Sequence, residues 1–346
     1  MMNDVAGQPV VGARAWRSAD FRSPSDWLTE IDGSVVAILA DAAAELPADP
    51  HRWVDVDAAA LLRPDVADAL RHAGDDLWDG KGFFWLRGLP ADDPELLRRI
   101  FWVIGNNLGE PVMQNARGQV LSEVTDRFAG AERGVDTRGY ESNDELRFHC
   151  DGGDSIGLAC VRPAPTGGEN GLVSLAAIYN ELLDHHPEHL AVLERGFPLY
   201  ARKEEGGDAS THGKVNQRRI PVFGWVRSRI STWLNIKLAE LAADMSGVPL
   251  TAAEQAALTC LEGIAERDDV KLTAHSQPGD VVWVNNLAVM HRRAKYEDDP
   301  DPSRRRLLYR MWLNRRDPQL VIPEHAALRA GIRGPERTIG ATVSAS

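Results

Sequence analysis

The chain has 346 residues, of which 43% are hydrophobic and 26% charged, and its formal net charge is −12. These values are ordinary for a globular protein and leave enough chain to bury a sizeable core. The acidic balance argues against nucleic-acid binding and against docking on anionic membranes, because both normally need a basic surface. No apolar stretch is long enough to span a bilayer, and three cysteines without a Cys-x-x-Cys pair favour a reducing compartment. We therefore expect a cytoplasmic protein.

Residues 1–110 have a mostly helical pattern. Helical spacing of apolar residues covers Asp55 to Ala73, with an interruption at Pro64, and Asp93 to Leu108, and Ser23 to Asp26 has the composition of a helix start. Between the periodic stretches, Gly82 to Gly88 is an aromatic run bounded by glycines, which predicts a strand.

Residues 111–315 change character, with short apolar runs broken by Gly and Pro from Leu146 to Ser174. Leucines at helical spacing predict a helix from Ile178 to Gly196, and a capping box at Thr251 to Glu254 predicts the start of another. Many short strands with helices around them favour an α+β fold with a jelly-roll core over a doubly wound sheet.

The remaining segments complete one expected domain over residues 1–346. Strand-forming residues fill Asp280 to Val284 and Leu307 to Leu313, and residues 316–346 form a C-terminal extension. The polar, glycine-bearing stretch 201–220 predicts a loop or lid near the site.

His149 and Asp151 are the first pair of residues that could bind a metal. In an extended segment, residues two apart point the same way, so the imidazole and the carboxylate share one side. Together they would supply two of the three ligands of a facial triad on iron(II). A His-x-Asp sequence also occurs by chance, so this pair alone does not exclude an ordinary surface turn.

The strand around Leu307 to Leu313 carries arginines on an otherwise apolar face. Alternation places Arg306, Leu308, Arg310 and Trp312 together. Two buried guanidinium groups need anionic partners, and a dicarboxylate would provide one. The alternative is a solvated basic edge.

The order of motifs resembles the taurine dioxygenase (TauD/TfdA) family, within a superfamily that includes clavaminate synthase. The motifs are His149-x-Asp151, Gly167-Gly168-Glu169, Gly279-Asp280 followed by Asn285-Asn286 and His291, and Arg306-x-x-x-Arg310. The resemblance runs from about Gly82 to Leu313.

The resemblance implies a double-stranded β-helix and an oxidoreductase that uses Fe(II), 2-oxoglutarate and O2 on a small-molecule substrate. It implies metal ligation by His149, Asp151 and His291. It also implies that Arg306 binds the C5 carboxylate of 2-oxoglutarate and that Arg310 supports that carboxylate or touches substrate. Asn286 matches a family asparagine near the distal histidine.

One position departs from the family pattern, which usually has Thr or Ser after the Gly-Gly-acid turn. Asn170 stands there, and either its amide or a neighbour such as Ser174 would have to replace the hydroxyl contact to 2-oxoglutarate. Because Asp151 is intact, halogenation, which in relatives follows loss of that carboxylate, is not expected.

The substrate is left open as an amino acid or a natural-product intermediate, and hydroxylation shares its iron site with desaturation, epoxidation and cyclisation. Gln114, Asn115 and Arg229 are predicted substrate contacts, although structural hydrogen bonding and solvation are the alternatives. The sequence does not indicate the oligomeric state. A rival metal site is the stretch from His185 to His189, where Pro187 disturbs helical geometry. A rival function is a metal-binding jelly roll without redox chemistry.

Overall fold

The computed structural model describes residues 7–127, 139–202, 213–216, 218–318, 320–332 and 336–340. The strands are β1 (Leu28–Glu30), β2 (Phe83–Arg87), β3 (Glu110–Val112), β4 (Gln119–Val124), β5 (Leu146–His149), β6 (Ser155–Arg162), β7 (Thr166–Gly167), β8 (Asn170–Ser174), β9 (Tyr200–Ala201), β10 (Lys214–Val215), β11 (Phe223–Val226), β12 (Arg229–Thr232), β13 (Leu272–Ala274), β14 (Val281–Asn285), β15 (Val289–Arg293), β16 (Tyr296–Glu297), β17 (Leu307–Asn314) and β18 (Thr338–Ile339). The α-helices are α1 (Gly33–Ala44), α2 (Pro64–Trp78), α3 (Pro94–Leu108), α4 (Leu175–His185), α5 (Pro187–Arg195), α6 (Ile236–Ser246), α7 (Ala252–Ala265) and α8 (Pro323–Ala326).

Two sheets form the core of the fold. The larger sheet has eight strands in the order β1-β2-β14-β6-β17-β4-β18, with β3 also paired to β17. The smaller sheet has four strands in the order β13-β8-β15-β5. Most neighbours are antiparallel, whereas β1 with β2 and β18 with β4 are parallel. The expected α+β architecture with a jelly-roll core is confirmed.

The space between the sheets is filled by aromatic and branched side chains. Phe83, Trp85 and Val282 from the larger sheet pack with Leu172 and Val289 from the smaller one. These residues occur at alternate strand positions, which is why their neighbours point outward. The interior is therefore a packed apolar layer, and the candidate site lies on the same β-strands.

Helices cover the outer faces of both sheets. Residues of α1, α2 and α3 pack on the larger sheet around Trp283 and Met311, and residues of α4, α5 and α7 pack on the smaller sheet around Val173 and Met290. The alternation predicted for β17 is confirmed, because Tyr309 and Met311 face the helices while Trp312 faces the other sheet.

Several local predictions are confirmed, among them the strand at β2, the helix at α3 and the capping box of α7. In that box Thr251 Oγ1 accepts a hydrogen bond from the amide of Glu254 at 3.2 Å, and the Glu254 carboxylate accepts one from the amide of Thr251. Among the described residues, no helix is long and apolar enough to cross a membrane.

Two helix predictions are wrong, one at Ser23 to Asp26 and one over 178–196. The Ser23 to Asp26 segment gives only a short 3-10 turn, after which β1 pairs with β2. The long helix expected over 178–196 is two helices, since Pro187 has no amide hydrogen and begins α5. Residues 1–110 therefore contribute two strands to the larger sheet besides their helices.

The predicted lid over 201–220 lies largely outside the described residues. The described part includes β9 and β10, which pair as a short ribbon. The C-terminal extension is tied to the core, because β18 pairs with β4 and Arg329 forms an ion pair with the buried carboxylate of Asp154.

Candidate active site

His149 and His291 are brought together by strand pairing in the smaller sheet. His149 ends β5, His291 lies on β15, and the two residues are direct partners in the antiparallel ladder. Their rings are 4.3 Å apart between centroids. Asp151 follows β5 by two residues, so its carboxylate reaches the same side.

The three side chains form a compact cluster of possible ligand atoms. One such atom from each of His149, Asp151 and His291 lies within 4.8 Å of the other two. His149 Nε2 is 3.7 Å from Asp151 Oδ1, and His291 Nε2 is 4.0 Å from Asp151 Oδ2. The separations leave room for an ion between the three groups.

Both imidazoles have a nitrogen suited to metal binding. His149 Nδ1 lies 2.8 Å from the carbonyl oxygen of Arg147, an acceptor that needs a proton on Nδ1, so Nε2 on the side of Asp151 is the nitrogen that could bind a metal. Burial, followed by repulsion from His149, lowers the pKa of His291 to about 3. His291 is therefore neutral at physiological pH, as a metal ligand must be.

Asp151 is fixed from two sides. Its backbone amide donates to Asn286 Oδ1 at 3.1 Å, and Asn286 Nδ2 donates to the carbonyl oxygen of Gly152 at 3.1 Å. Trp312 Nε1 donates to Asp151 Oδ2 at 3.2 Å. A Cβ atom at Gly152 would lie 2.8 Å from the Trp312 ring, so the glycine lets the indole approach. Hydrogen bonds of this kind orient metal ligands.

Arg306 lines a small cavity beside β8. Its side chain is 4% exposed, and Nη1 is buried without a hydrogen-bond partner among the described residues. Gly168, Asn170 and Ser276 line the same cavity. Burial lowers the pKa of Arg306, which means that the charged guanidinium is poorly solvated, and a bound anion would offset this desolvation cost. This arrangement fits one carboxylate of a dicarboxylate ligand.

The cavity also contains a hydroxyl group. Asn170 Nδ2 donates to Ser276 Oγ at 2.8 Å, so the Ser276 proton is available for another acceptor. Ser174, considered above as a substitute, is committed elsewhere, because its hydroxyl caps α4 and donates to the carbonyl oxygen of Arg14. No sequence pattern points to Ser276, because it lies far from Asn170 along the chain and meets it only in the folded structure.

Arg310 lies beside the cluster of candidate metal ligands formed by His149, Asp151 and His291. Its Nη1 is 3.9 Å from Asp151 Oδ2, and its guanidinium carbon lies 3.8 Å from the centroid of the Tyr140 ring. Gln114 Oε1 accepts a hydrogen bond from Arg310 Nε at 2.6 Å, while Nη2 is buried without a partner among the described residues. One guanidinium nitrogen thus remains for a ligand.

The predicted substrate contacts have structural partners. Gln114 is fully buried and holds Arg310. Asn115 stabilises the turn between β3 and β4 through the amides of Arg117 and Gln119. Arg229 forms an ion pair with Asp79 at 2.5 Å. Substrate binding by Gln114, Asn115 and Arg229 stays a prediction, and these contacts explain each residue without it.

Residues 46–312 match the model of the taurine catabolism dioxygenase TauD, TfdA family. FR-33289 synthase from Streptomyces rubellomurinus (strain ATCC 31215) is 28% identical over 318 residues, covering 90% of this chain and 92% of that protein.

Two solved structures share the fold. One is asparagine oxygenase in complex with Fe(II), 2S,3S-3-hydroxyasparagine and succinate, with a TM-score of 0.65 and 18% identity over 84% of this chain and 94% of that one. The other is a mutant of the non-heme iron oxygenase OrfP in complex with (3S)-hydroxy-L-Arg, with a TM-score of 0.63 and 19% identity over 83% and 93% of the two chains. Because the family model matches most of the sequence, this chain belongs to the TauD/TfdA family of dioxygenases.

Proposed function

We propose that this chain is a dioxygenase that hydroxylates a C–H bond of an amino acid or of a natural-product intermediate. As a member of the TauD/TfdA family it is an oxidoreductase that uses Fe(II), 2-oxoglutarate and O2. The substrate class is supported by the two solved structures of the same fold, which contain 3-hydroxyasparagine and (3S)-hydroxy-L-Arg.

The observation that carries the proposal is the combination of a three-ligand cluster with two buried guanidinium groups, each of which keeps one nitrogen without a partner among the described residues. His149, Asp151 and His291 can bind one face of an iron ion. Arg306 and Arg310 each have a buried nitrogen without a partner among the described residues. A jelly-roll protein with a metal but no redox role would not need two such cations, so this combination favours a dicarboxylate cosubstrate.

Each residue then has a distinct role. His149, Asp151 and His291 hold the iron, and Trp312 and Asn286 hold Asp151 in place. Arg306 would pair with the C5 carboxylate of 2-oxoglutarate, using the buried nitrogen that has no partner among the described residues. The Asn170–Ser276 pair directs a hydroxyl proton into the same cavity.

The cofactors supply chemistry that the side chains lack: when bound, they couple decarboxylation of 2-oxoglutarate to succinate and CO2 with transfer of one oxygen atom from O2 to the substrate. The protein contributes by positioning the reacting groups and by excluding water from them. The rings of Tyr140 and Trp312 pack on the Arg310 guanidinium and exclude water from it. Arg310 would then orient a carboxylate near His149, Asp151 and His291.

Location and partners belong to the same proposal. The acidic net charge and the free cysteines support a cytoplasmic enzyme without a nucleic-acid partner.

The test combines anaerobic binding with turnover. Wild-type protein should develop the visible metal-to-ligand charge-transfer absorption of Fe(II)–2-oxoglutarate when both are added without air. Asp151→Ala should lose it, while Asp68→Ala, a change at an exposed helix residue, should retain it.

Turnover should then be followed with a panel of free L-amino acids, including asparagine and arginine, and of acylated or peptide-like amino-acid derivatives. Stimulated succinate formation together with a product heavier by one oxygen atom identifies the substrate. Absence of the charge-transfer absorption in well-folded wild-type protein would overturn the proposal.

A further inference from the structure

A second group of metal-ligating side chains lies in the helical layer behind the smaller sheet. One possible ligand atom each from His186, His189 and Cys260 lies within 4.8 Å of the other two. His186 occupies the junction between α4 and α5, His189 is in the first turn of α5, and Cys260 is on α7. None of these residues belongs to the dioxygenase site.

The break at Pro187 creates this arrangement. His186 is both the last capping residue of α4 and the residue before α5, and its backbone is non-helical. Because His189 lies three residues later in the new helix, both imidazoles project from the same corner, with ring centroids 5.9 Å apart. In an uninterrupted helix Pro187 could not occupy this position.

Helix packing brings in the cysteine. Leu190 and Leu193 of α5 pack with Leu258 and Leu261 of α7 in one apolar cluster, and Cys260 lies at the edge of it. That cluster fixes the distance between the two helices, so the thiol faces the histidine corner in the folded chain.

The three side chains are available for a ligand. Among the described residues, the imidazole of His186 and the thiol of Cys260 make no hydrogen bond, and the His189 imidazole has one loose polar contact, of 3.8 Å, with the exposed carboxylate of Glu188. All three are partly exposed, so an ion could enter from solvent.

The ligand chemistry selects the kind of ion. Two imidazoles and one thiolate suit Zn²⁺, which prefers tetrahedral nitrogen and sulfur coordination and accepts water as the fourth ligand. Tetrahedral Zn²⁺ with ordinary bond lengths separates its ligand atoms by roughly 3.3–3.6 Å. Small side-chain rotations would therefore close the present cluster around the ion.

We propose that His186, His189 and Cys260 form a peripheral Zn²⁺ site that ties the α4–α5 corner to α7. Binding displaces the thiol proton to solvent, and the ion is held by the thiolate and two neutral imidazoles. The site is independent of the proposed function, since its ligands and the iron ligands share no residue.

Cobalt(II) distinguishes the two sites by their ligands. The His149, Asp151 and His291 cluster has no sulfur, so a thiolate-to-Co(II) charge-transfer absorption in the near ultraviolet can come only from a cysteine site. Wild-type full-length protein should show this absorption with the intensity of one thiolate–Co(II) bond per chain, whatever amount of Co(II) the sulfur-free site takes up, and Zn²⁺ should abolish it by displacement.

Variants assign the ligands. Cys260→Ser should remove the absorption, and His186→Ala or His189→Ala should weaken Co(II) binding by about 100-fold or more, because even partners that only orient ligands contribute 10–100-fold. His185→Ala is the matched control, since its ring is 6.5 Å from that of His186 and it is outside the cluster. It should leave the titration unchanged.

A chemical readout avoids mutagenesis. Cys150 and Cys160 are buried, whereas Cys260 is partly exposed, so alkylation of the native protein should modify Cys260 first. Zn²⁺ should protect Cys260, and a chelator should restore its reactivity. Equal alkylation rates with and without Zn²⁺, or a wild-type cobalt spectrum identical to that of Cys260→Ser, would overturn the proposal.

Discussion

Replacing Arg306 by alanine tests the assignment of the 2-oxoglutarate cavity. The side chain is 4% exposed and one guanidinium nitrogen is buried without a partner among the described residues, so a carboxylate bound there forms a desolvated charge pair. Loss of such a pair costs about 2–5 kcal/mol. Affinity for 2-oxoglutarate should therefore fall about 30-fold to several thousand-fold.

Arg306→Lys separates charge from geometry. Lysine keeps a positive charge but has no planar fork for a bidentate pair, so it should restore only part of the affinity. Arg304→Ala is the control, because Arg304 has a 67% exposed side chain paired with Asp299 at the surface. It should bind 2-oxoglutarate as wild type does.

The assay is anaerobic titration of 2-oxoglutarate into the Fe(II)-loaded protein, together with steady-state succinate formation. Both readouts should shift in the same direction for Arg306→Ala. If the affinity of Arg306→Ala for 2-oxoglutarate stays within about twofold of wild type, the loss of binding free energy is far below the expected 2 kcal/mol. That result would refute the assignment of Arg306 to the 2-oxoglutarate carboxylate. The cavity beside Asn170 would then hold something other than the cosubstrate.

Three further changes probe neighbouring contacts. Trp312→Phe removes the hydrogen bond to Asp151, so Fe(II) affinity measured by titration should fall about 10–100-fold, and an unchanged affinity would contradict the positioning role. Gln114→Leu removes the acceptor that orients Arg310, at a cost of roughly 1.5–3 kcal/mol, and the ratio of product to succinate should fall while Fe(II) affinity stays the same. Burial lowers the pKa of His325 from 6.5 to about 4. As pH falls from 6.5 to about 4, this imidazole is therefore protonated in the unfolded state but stays neutral in the folded state. Stability should therefore decrease by up to about 3 kcal/mol, and His325→Gln should show a flatter pH dependence in denaturant unfolding.

Local patterns in the sequence predict that β17 has different residues on its two faces and that His149 and Asp151, the first candidate metal ligands, share one side. Alternation in β17 separates Arg310 and Trp312 from Tyr309 and Met311, because one strand face meets helices and the other meets the second sheet. The spacing of His149 and Asp151 likewise follows from extended backbone. These predictions needed only periodicity.

Contacts between distant segments could not be predicted in the same way. Ser276 reaches Asn170 only through pairing of β13 with β8. The helix expected to start at Ser23 stops after one 3-10 turn, and β1 follows because β2 offers a partner strand. The approach of Trp312 to Asp151 depends on the missing side chain of Gly152. Such outcomes depend on tertiary packing, which overrides local preference.

The order of strands in the larger sheet has a consequence during synthesis on the ribosome. β2 ends at Arg87, yet it pairs with β14, which begins at Val281. At about 5–20 residues per second, that partner emerges roughly 10–40 s later. Until then the aromatic residues of β2 have no partner strand on that side, and three residues of the candidate site, His291, Arg306 and Arg310, are still to be translated. The candidate site of a nascent chain is therefore incomplete until residues up to Arg310 have left the exit tunnel, and β2, exposed during that interval, is a segment that chaperones can bind.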